Sequence, residues 1–349
     1  MDSDLRKRLL LKALSSRAEI YGLIGQYDRA IKEDKKILQD CSNINLSIKM
    51  EIMLHIAAML IAGKNDLKNA RRLMNRIRMI KKVKCESHYN ARIFNMLGII
   101  CRRQNRYHEA QKYFNRAFAI YVRLKDRRGM GGVLSNIALL YYNRGELDSA
   151  LSNYEKCFSI EKDLQDQQGL AMTFGNIGLV YQEKGNYDRA LQYYGNSLTA
   201  AEKSGYRLGI SIALSNCGVV YELQRNYSTA VEYQKKSHQI AKELGVQRQI
   251  GISSALLGRV LMKKGDFLEA IRYLEMAITV FQKFGDKKRE AMAHIHLGIT
   301  YTKMKQYSDA EEHLLKAEKI ARETKDRETL SVFKSAIDDL KVSQQSAIS

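Results

Sequence analysis

An alanine recurs every forty residues along almost the whole chain, at Ala30, Ala70, Ala110, Ala150, Ala190, Ala230, Ala270 and Ala310. A fixed period of this size marks a repeat protein, in which each unit buries its apolar face against its neighbours and the product is an extended binding surface. Twelve residues before each alanine stands a second small residue: Ala18, Ala58, Gly98, Ala138, Gly178, Gly218, Gly258 or Gly298. Two helices can approach closely at such points. Three residues before the alanine comes a large side chain, Tyr27, Leu67, Tyr107, Leu147, Tyr187, Tyr227, Phe267 or Tyr307, which is expected to wedge between the helices. Each unit therefore reads helix A, short turn, helix B.

Within one such unit, Gly178, Tyr181, Gly185, Tyr187, Ala190 and Tyr194 resemble the tetratricopeptide repeat pattern of an early Leu-Gly pair, a Tyr, a later Ala and an aromatic. The resemblance covers residues 8–327 as eight units: 8–47, 48–87, 88–127, 128–167, 168–207, 208–247, 248–287 and 288–327. It implies an all-α fold, a right-handed superhelix of helix-turn-helix units forming one solenoid over 1–349. Two departures stand out. The standard unit has 34 residues and a proline after helix B, whereas this one has forty and the chain has no proline. The extra residues are expected to lengthen helix B. The forty-residue form with an Asn in helix A is similar to the peptide-binding repeats of kinesin light chain and of the spindle adaptor built on Leu-Gly-Asn repeats, and it also occurs in bacterial signalling regulators. The resemblance implies a protein-interaction scaffold, adaptor or sensor module.

After the eighth unit, Phe333, Ile337 and Leu340 fall at i, i+4 and i+7 among charged residues, the pattern of a helix with one apolar face. A capping helix over about 328–345 is expected, because a terminal repeat otherwise exposes its stacking face. Residues 342–349, polar and serine-rich, are expected to fray. The first unit begins almost at once, which reads as an adaptor acting alone or a sensor taken from a larger protein. The longest apolar runs fall short of the roughly eighteen residues a membrane span needs, and the start, Met1-Asp2-Ser3-Asp4-Leu5-Arg6, lacks the layout of a secretory signal. A cytoplasmic protein without membrane insertion is expected. The five cysteines, Cys41, Cys85, Cys101, Cys157 and Cys217, are scattered and odd in number, which is reduced-thiol usage.

Catalytic and metal chemistry find little support in the sequence. Gly129, Gly131 and Gly132 cluster, but with no preceding strand they read as an inter-repeat turn and not as a phosphate loop. Cys85 and His88 have a metal-like spacing but no second pair, and a structural zinc site wants four ligands. His294 and His296, at i and i+2, point to different helix faces. The expectation is a non-enzymatic chain with no metal and no cofactor.

Binding is expected where helix A lines the inner face. Asn136, Asn176 and Asn216 stand fourteen residues before the marker alanine in three central units. A primary amide has two donors and an acceptor, so it can bond the main chain of a peptide whatever its sequence. The resemblance implies this use at these three positions. Ser16, Ile56, Met96, Leu256 and His296 occupy the slot elsewhere. The alternative is that the amides bond neighbouring helices. Leu139, Leu179 and Val219 follow by three residues, Tyr142 and Gln182 by six, and the mixture suits an amphipathic partner segment. Arg259 and Lys263, at i and i+4, are placed to pair with an acidic side chain or terminal carboxylate, the alternative being two solvated charges.

Charge marks a second candidate surface. Residues 68–128 hold 18 Lys+Arg against 3 Asp+Glu. They include Arg71, Arg72, Arg76, Arg78, Lys81, Lys82 and Lys84, expected on helix B of the second unit, and Arg92, Arg102 and Arg103 on helix A of the third. A patch of this density points to an anionic partner, an acidic protein surface or a nucleic acid; generic solvation is the remaining reading. Tyr107, Tyr113 and Phe114 lie among these charges but occupy expected core positions.

Overall fold

The computed structural model describes residues 27–40, 46–62, 66–79 and 87–348, all helix or tight turn. The chain divides into two compact units, 1–204 and 205–349. The first holds α1 (Tyr27–Asp40), α2 (Leu46–Ala62), α3 (Leu67–Arg78), α4 (His88–Arg103), α5 (Tyr107–Arg123), α6 (Arg127–Asn143), α7 (Leu147–Asp163), α8 (Gln167–Glu183) and α9 (Tyr187–Lys203). The second holds α10 (Arg207–Leu223), α11 (Tyr227–Glu243), α12 (Gln247–Lys264), α13 (Phe267–Phe284), α14 (Lys287–Lys303), α15 (Tyr307–Thr324) and α16 (Arg327–Ile348). From α2 to α15, even numbers are helix A of a repeat and odd numbers helix B. Helix A of the first repeat lies outside the described residues.

The forty-residue period resolves into two halves of equal design. In most repeats the two helices are nearly equal in length: α6, α7, α8 and α9 are 17 residues each, and α4 and α5 are 16 and 17. From Asn105 to Lys325 every twentieth residue has positive φ, six of them glycines and six not. The turn after α5 explains the rule. The amide of Lys125, at φ 55°, donates to the Val122 carbonyl at 3.0 Å, and the amide of Asp126 donates to the Tyr121 carbonyl at 2.9 Å. That pair of bonds satisfies carbonyls which a helix end otherwise leaves unpaired. Asp126 then starts the next helix, its carboxylate accepting from the Gly129 amide at 2.8 Å. One residue closes α5 and caps α6, and Asp166 does the same between α7 and α8. Gly129, Gly131 and Gly132 accordingly lie inside the first turns of α6 and not in a loop.

Packing within a repeat centres on the two small residues. All eight marker alanines are fully buried. Gly98, Gly178, Gly218, Gly258 and Gly298 are buried as well, and a Cβ on them would stand 2.4–2.7 Å from Phe114, Tyr194, Gln234, Leu274 and Leu314 respectively. The residue that fills the interhelical space is therefore the one four places after the alanine. The large residues three places before it, Tyr107, Leu147, Tyr187 and their counterparts, are only half-buried, because they sit at the first turn of helix B on the rim of the contact. Gln234 is the one polar side chain among these fillers from Met74 to Leu314. It is wholly buried, and Ser215 satisfies both ends of its amide, the Nε2 donating to the Ser215 carbonyl at 2.9 Å and the Oε1 accepting from the Ser215 hydroxyl at 3.1 Å.

The array ends as the apolar stripe predicts. Phe333, Ala336 and Leu340 of α16 are buried with Ile295, Leu314 and Ile320, and Ile337 packs at the edge of that cluster. The helix, however, runs on to Ile348, and the Tyr307 hydroxyl donates to the Ser343 carbonyl at 3.0 Å. The tail expected to fray is helical and continues the cap, and its serine hydroxyls donate to carbonyls one turn earlier, Ser343 to Asp339 and Ser346 to Val342.

Candidate functional site

Successive A helices touch one another within each unit, α2 to α4 to α6 to α8 and α10 to α12 to α14, while successive B helices do not pack to that extent. The A helices thus form the inner side of each unit and the B helices splay outward. On α8 the residues facing inward recur at i, i+4, i+7 and i+11: Met172, Asn176, Leu179 and Glu183. On α6 they are Gly132, Asn136, Leu139 and Asn143, and on α10 Ile212, Asn216, Val219 and Leu223. The three asparagines and Leu139, Leu179 and Val219 are all half-buried.

The asparagines differ in what they already hold. Asn136 Nδ2 donates to Asn95 Oδ1 at 3.0 Å and to the Gly132 carbonyl at 3.1 Å, so both its hydrogens are engaged and only its oxygen is open. Asn176 and Asn216 make no hydrogen bond among the described residues. Around them lie apolar side chains in water, Met172 at 55 % exposure, Ile212 at 39 % and Leu223 at 46 %. These three are not among the residues that the asparagine spacing singles out. Their signal is the i−4 and i+7 spacing from each asparagine, one turn beyond the i+3 position.

The residues six beyond the asparagines turn away from that face. Gln182 Oε1 accepts from the Tyr194 hydroxyl at 3.0 Å, within the repeat. Tyr142 is half-buried, and burial, with Glu183 nearby, raises its phenol above the usual value. In the sixth repeat this position is Glu222, only 3 % exposed, which receives Arg259 at 2.7 Å and Lys263 at 2.8 Å. Arg259 and Lys263 are therefore already held by one carboxylate from the preceding A helix, and the cluster presents one net positive charge inward. His296 stands in the asparagine slot of α14, its ring Nδ1 2.7 Å from the Met292 carbonyl. Burial, reinforced by Arg259, depresses its pKa to about 4. His294 points into the repeat, 2.9 Å from His313.

The basic surface divides in the same way. Arg72, Arg76 and Arg78 on α3 are exposed, and Arg71 is half-buried 3.8 Å from Glu109. Lys81, Lys82 and Lys84 lie outside the described residues, as do Cys41 and Cys85 and the slot residue Ser16. The three arginines of α4 are engaged between repeats. Arg92 Nη1 reaches both oxygens of Glu51 at 2.6 Å, and Arg103 donates to the Ile61 carbonyl at 2.6 Å. With the Asn143 amide turned so that its nitrogen donates to the Leu139 carbonyl, its oxygen accepts from Arg102 Nη1 at 3.1 Å; burial lowers the Arg102 pKa, with Arg103 adding to the effect. Phe114 is fully buried, whereas Tyr107 and Tyr113 are half-exposed.

Among the described residues no group of three or more His, Cys, Asp or Glu is arranged to hold a metal, and no helix is long and apolar enough to cross a membrane. Cys101, Cys157 and Cys217 are free and buried. Burial pushes the Cys157 thiol up to about 12 and that of Cys217 to about 11, the opposite of what a nucleophilic thiol needs.

Repeated helical hairpins of this design, with a small residue in each helix at the crossing and an inner wall of A helices, define a tetratricopeptide repeat protein. The family model for the tetratricopeptide repeat matches residues 49–123, 129–194, 169–243 and 251–323, and the chain belongs to that family, whose fold is a protein–protein interaction scaffold. The fold is similar to that of a Rap protein crystallised with the competence and sporulation factor, at 16 % identity and a TM-score of 0.61 over 96 % of this chain and 99 % of that one. It is similar also to aspartyl phosphate phosphatase F from Bacillus subtilis, at 16 % identity and a TM-score of 0.58 over 94 % of both chains. A third likeness is to the signal-transduction ATPase with a tetratricopeptide repeat sensor, PH0952, from Pyrococcus horikoshii, at 17 % identity and a TM-score of 0.61, over 95 % of this chain and 50 % of that one. At these identities the likeness is one of fold. No curated protein matches the sequence.

Proposed function

We propose that this protein is a non-catalytic adaptor or sensor module that binds a peptide segment of a partner protein on the inner face of its A helices. The observation that carries the reading is the state of Asn176 and Asn216. Each amide is without an internal partner and lies beside water-exposed apolar side chains, Met172 for the first and Ile212 and Leu223 for the second. A primary amide among apolar side chains matches a peptide, whose main chain takes the amide bonds while its apolar side chains cover the wall. In the first unit Asn136 contributes an acceptor and Leu139 and Leu179 extend the apolar wall; in the second, Val219 does so. The exposed arginines of α3 serve as a docking surface for an acidic region of the same partner, raising its association rate.

Selection of a random peptide library displayed on phage against the purified chain tests this. The selected peptides are expected to protect Met172 and Asn176 in the first unit, or Asn216 and Leu223 in the second, in hydrogen-exchange or cross-linking footprints. Peptides that instead protect only B-helix surfaces would contradict the reading.

A further inference from the structure

The outer side of the second unit carries a feature that the inner-face reading does not use. Helices α11 and α13 splay apart, and an open crevice of about 830 Å³ lies between them. Its floor is largely apolar, formed by Leu214 of α10 with Ile240, Tyr273 and Met276, the last 38 % exposed, and it includes one buried polar ring, that of His238. Its rim is basic: Lys235, Lys236 and Lys242 from α11 and Arg272 from α13 line it, and no carboxylate does.

Two carboxylates flank this rim: Glu269, 3.1 Å from Lys235 and 4.0 Å from Arg272, and Glu243, whose Oε1 accepts from Nε2 of the lining residue Gln239 at 3.0 Å. Lys235 and Glu269 are 48 % and 34 % exposed, a pair of the kind that holds by about 1 kcal/mol or less and gives way to a better partner. Lys236 and Lys242 have no ion-pair partner among the described residues. The Arg272 guanidinium lies 5.2 Å over the Tyr273 ring, a contact that orients it over the floor.

We infer that this crevice is a docking site for an acidic segment of a partner protein, one that carries a large apolar side chain between its carboxylates. The apolar side chain covers Ile240 and Met276, and the flanking carboxylates replace Glu269 opposite Lys235 and Arg272 and meet Lys236 and Lys242. A nucleic acid would satisfy the rim and leave the apolar floor wet. The crevice is open, whereas a small ligand's site encloses most of the molecule, so an extended segment is the better occupant. The site is separate from the inner face, and neither depends on the other.

Fluorescence anisotropy on the full chain tests the site with three labelled probes: an Asp/Glu-rich peptide with a central Leu-Phe pair, its Asn/Gln counterpart, and oligouridylate. The acidic peptide is expected to bind at low salt and the neutral peptide about tenfold more weakly or worse. The double variant Lys236→Glu/Lys242→Glu and the single variant Met276→Glu are each expected to weaken the acidic peptide about tenfold, a loss of about 1.4 kcal/mol, with unchanged circular dichroism. Asn216→Ala, on the inner face, is expected to leave it unchanged. The site is refuted if the acidic peptide fails to bind, or if the crevice variants bind it as the parent does. Refutation follows equally if Asn216→Ala is the change that abolishes binding, or if oligouridylate binds as tightly as the peptide and is indifferent to Met276→Glu.

Discussion

A Cβ placed on Gly178 would stand 2.5 Å from Cε1 of Tyr194. The glycine lets α8 and α9 close over a ring that is itself fully buried, and the same arrangement recurs at Gly98 with Phe114. Gly178→Ala is expected to destabilise the chain by about 1–3 kcal/mol, the usual cost of overpacking a dense core, although alanine is intrinsically the better helix former by about 1 kcal/mol. Urea denaturation measures it. Tyr194→Leu in the Gly178→Ala background is expected to recover part of the loss.

The turn rule makes an opposite prediction for other positions. Lys125, Gln165 and Arg225 occupy the left-handed conformation with side chains that disfavour it. Replacing each by Gly is expected to stabilise by about 0.5–1 kcal/mol, while Gly145→Ala and Gly185→Ala are expected to destabilise by a similar amount. Thermal melting of the single variants reads both signs.

The Glu222 carboxylate is almost fully shielded from water and holds Arg259 and Lys263 together. Glu222→Ala leaves two cations beside each other and the half-buried Arg259 without its partner. A loss of about 2–4 kcal/mol is expected, near that of breaking a buried ion pair. Lys263→Ala, which removes the more exposed cation, is expected to cost well under half as much in the same denaturation experiment.

Acid should loosen the second unit through its histidines. The pKa values of His294 and His296 are depressed to about 4, in each case chiefly by burial, whereas an unfolded histidine titrates near 6.5. The unfolded chain therefore binds more protons between these values. The stability contributed by the neutral rings is full above about pH 6.5 and is lost as pH falls toward 4. His294→Gln is expected to flatten that slope in melting curves taken across the window. An unchanged slope would mean that other groups carry the acid sensitivity.

How far the sequence announces all this depends on the kind of residue. The alanine period, the glycines twelve residues earlier and the stripe from Phe333 to Leu340 carry the fold openly, because packing constrains residue type at fixed spacing. Gln234, in a slot that the neighbouring repeats fill with aromatic or aliphatic side chains, looks like a defect until Ser215 is seen to satisfy it. The near-equal length of the two helices in most repeats escapes a reading based on side chains, since six of the twelve left-handed turn positions are not glycine and so leave no mark. The site is only half legible. Asn136 and Asn176 look identical in sequence, yet Asn95 takes up the first and leaves the second open. Arg92, Arg102 and Arg103 read as free charges because their acceptors, Glu51, Asn143 and the Ile61 carbonyl, lie roughly forty residues away.

Calorimetric titration of a phage-selected peptide into the parent chain and into Asn176→Ala is the most direct test of inner-face recognition. The account predicts a loss of about 1–3 kcal/mol in binding, as expected when a buried main-chain group of the ligand loses its partner, with a melting temperature close to the parent's. A lowered melting temperature with unchanged affinity would contradict it and make Asn176 a structural residue.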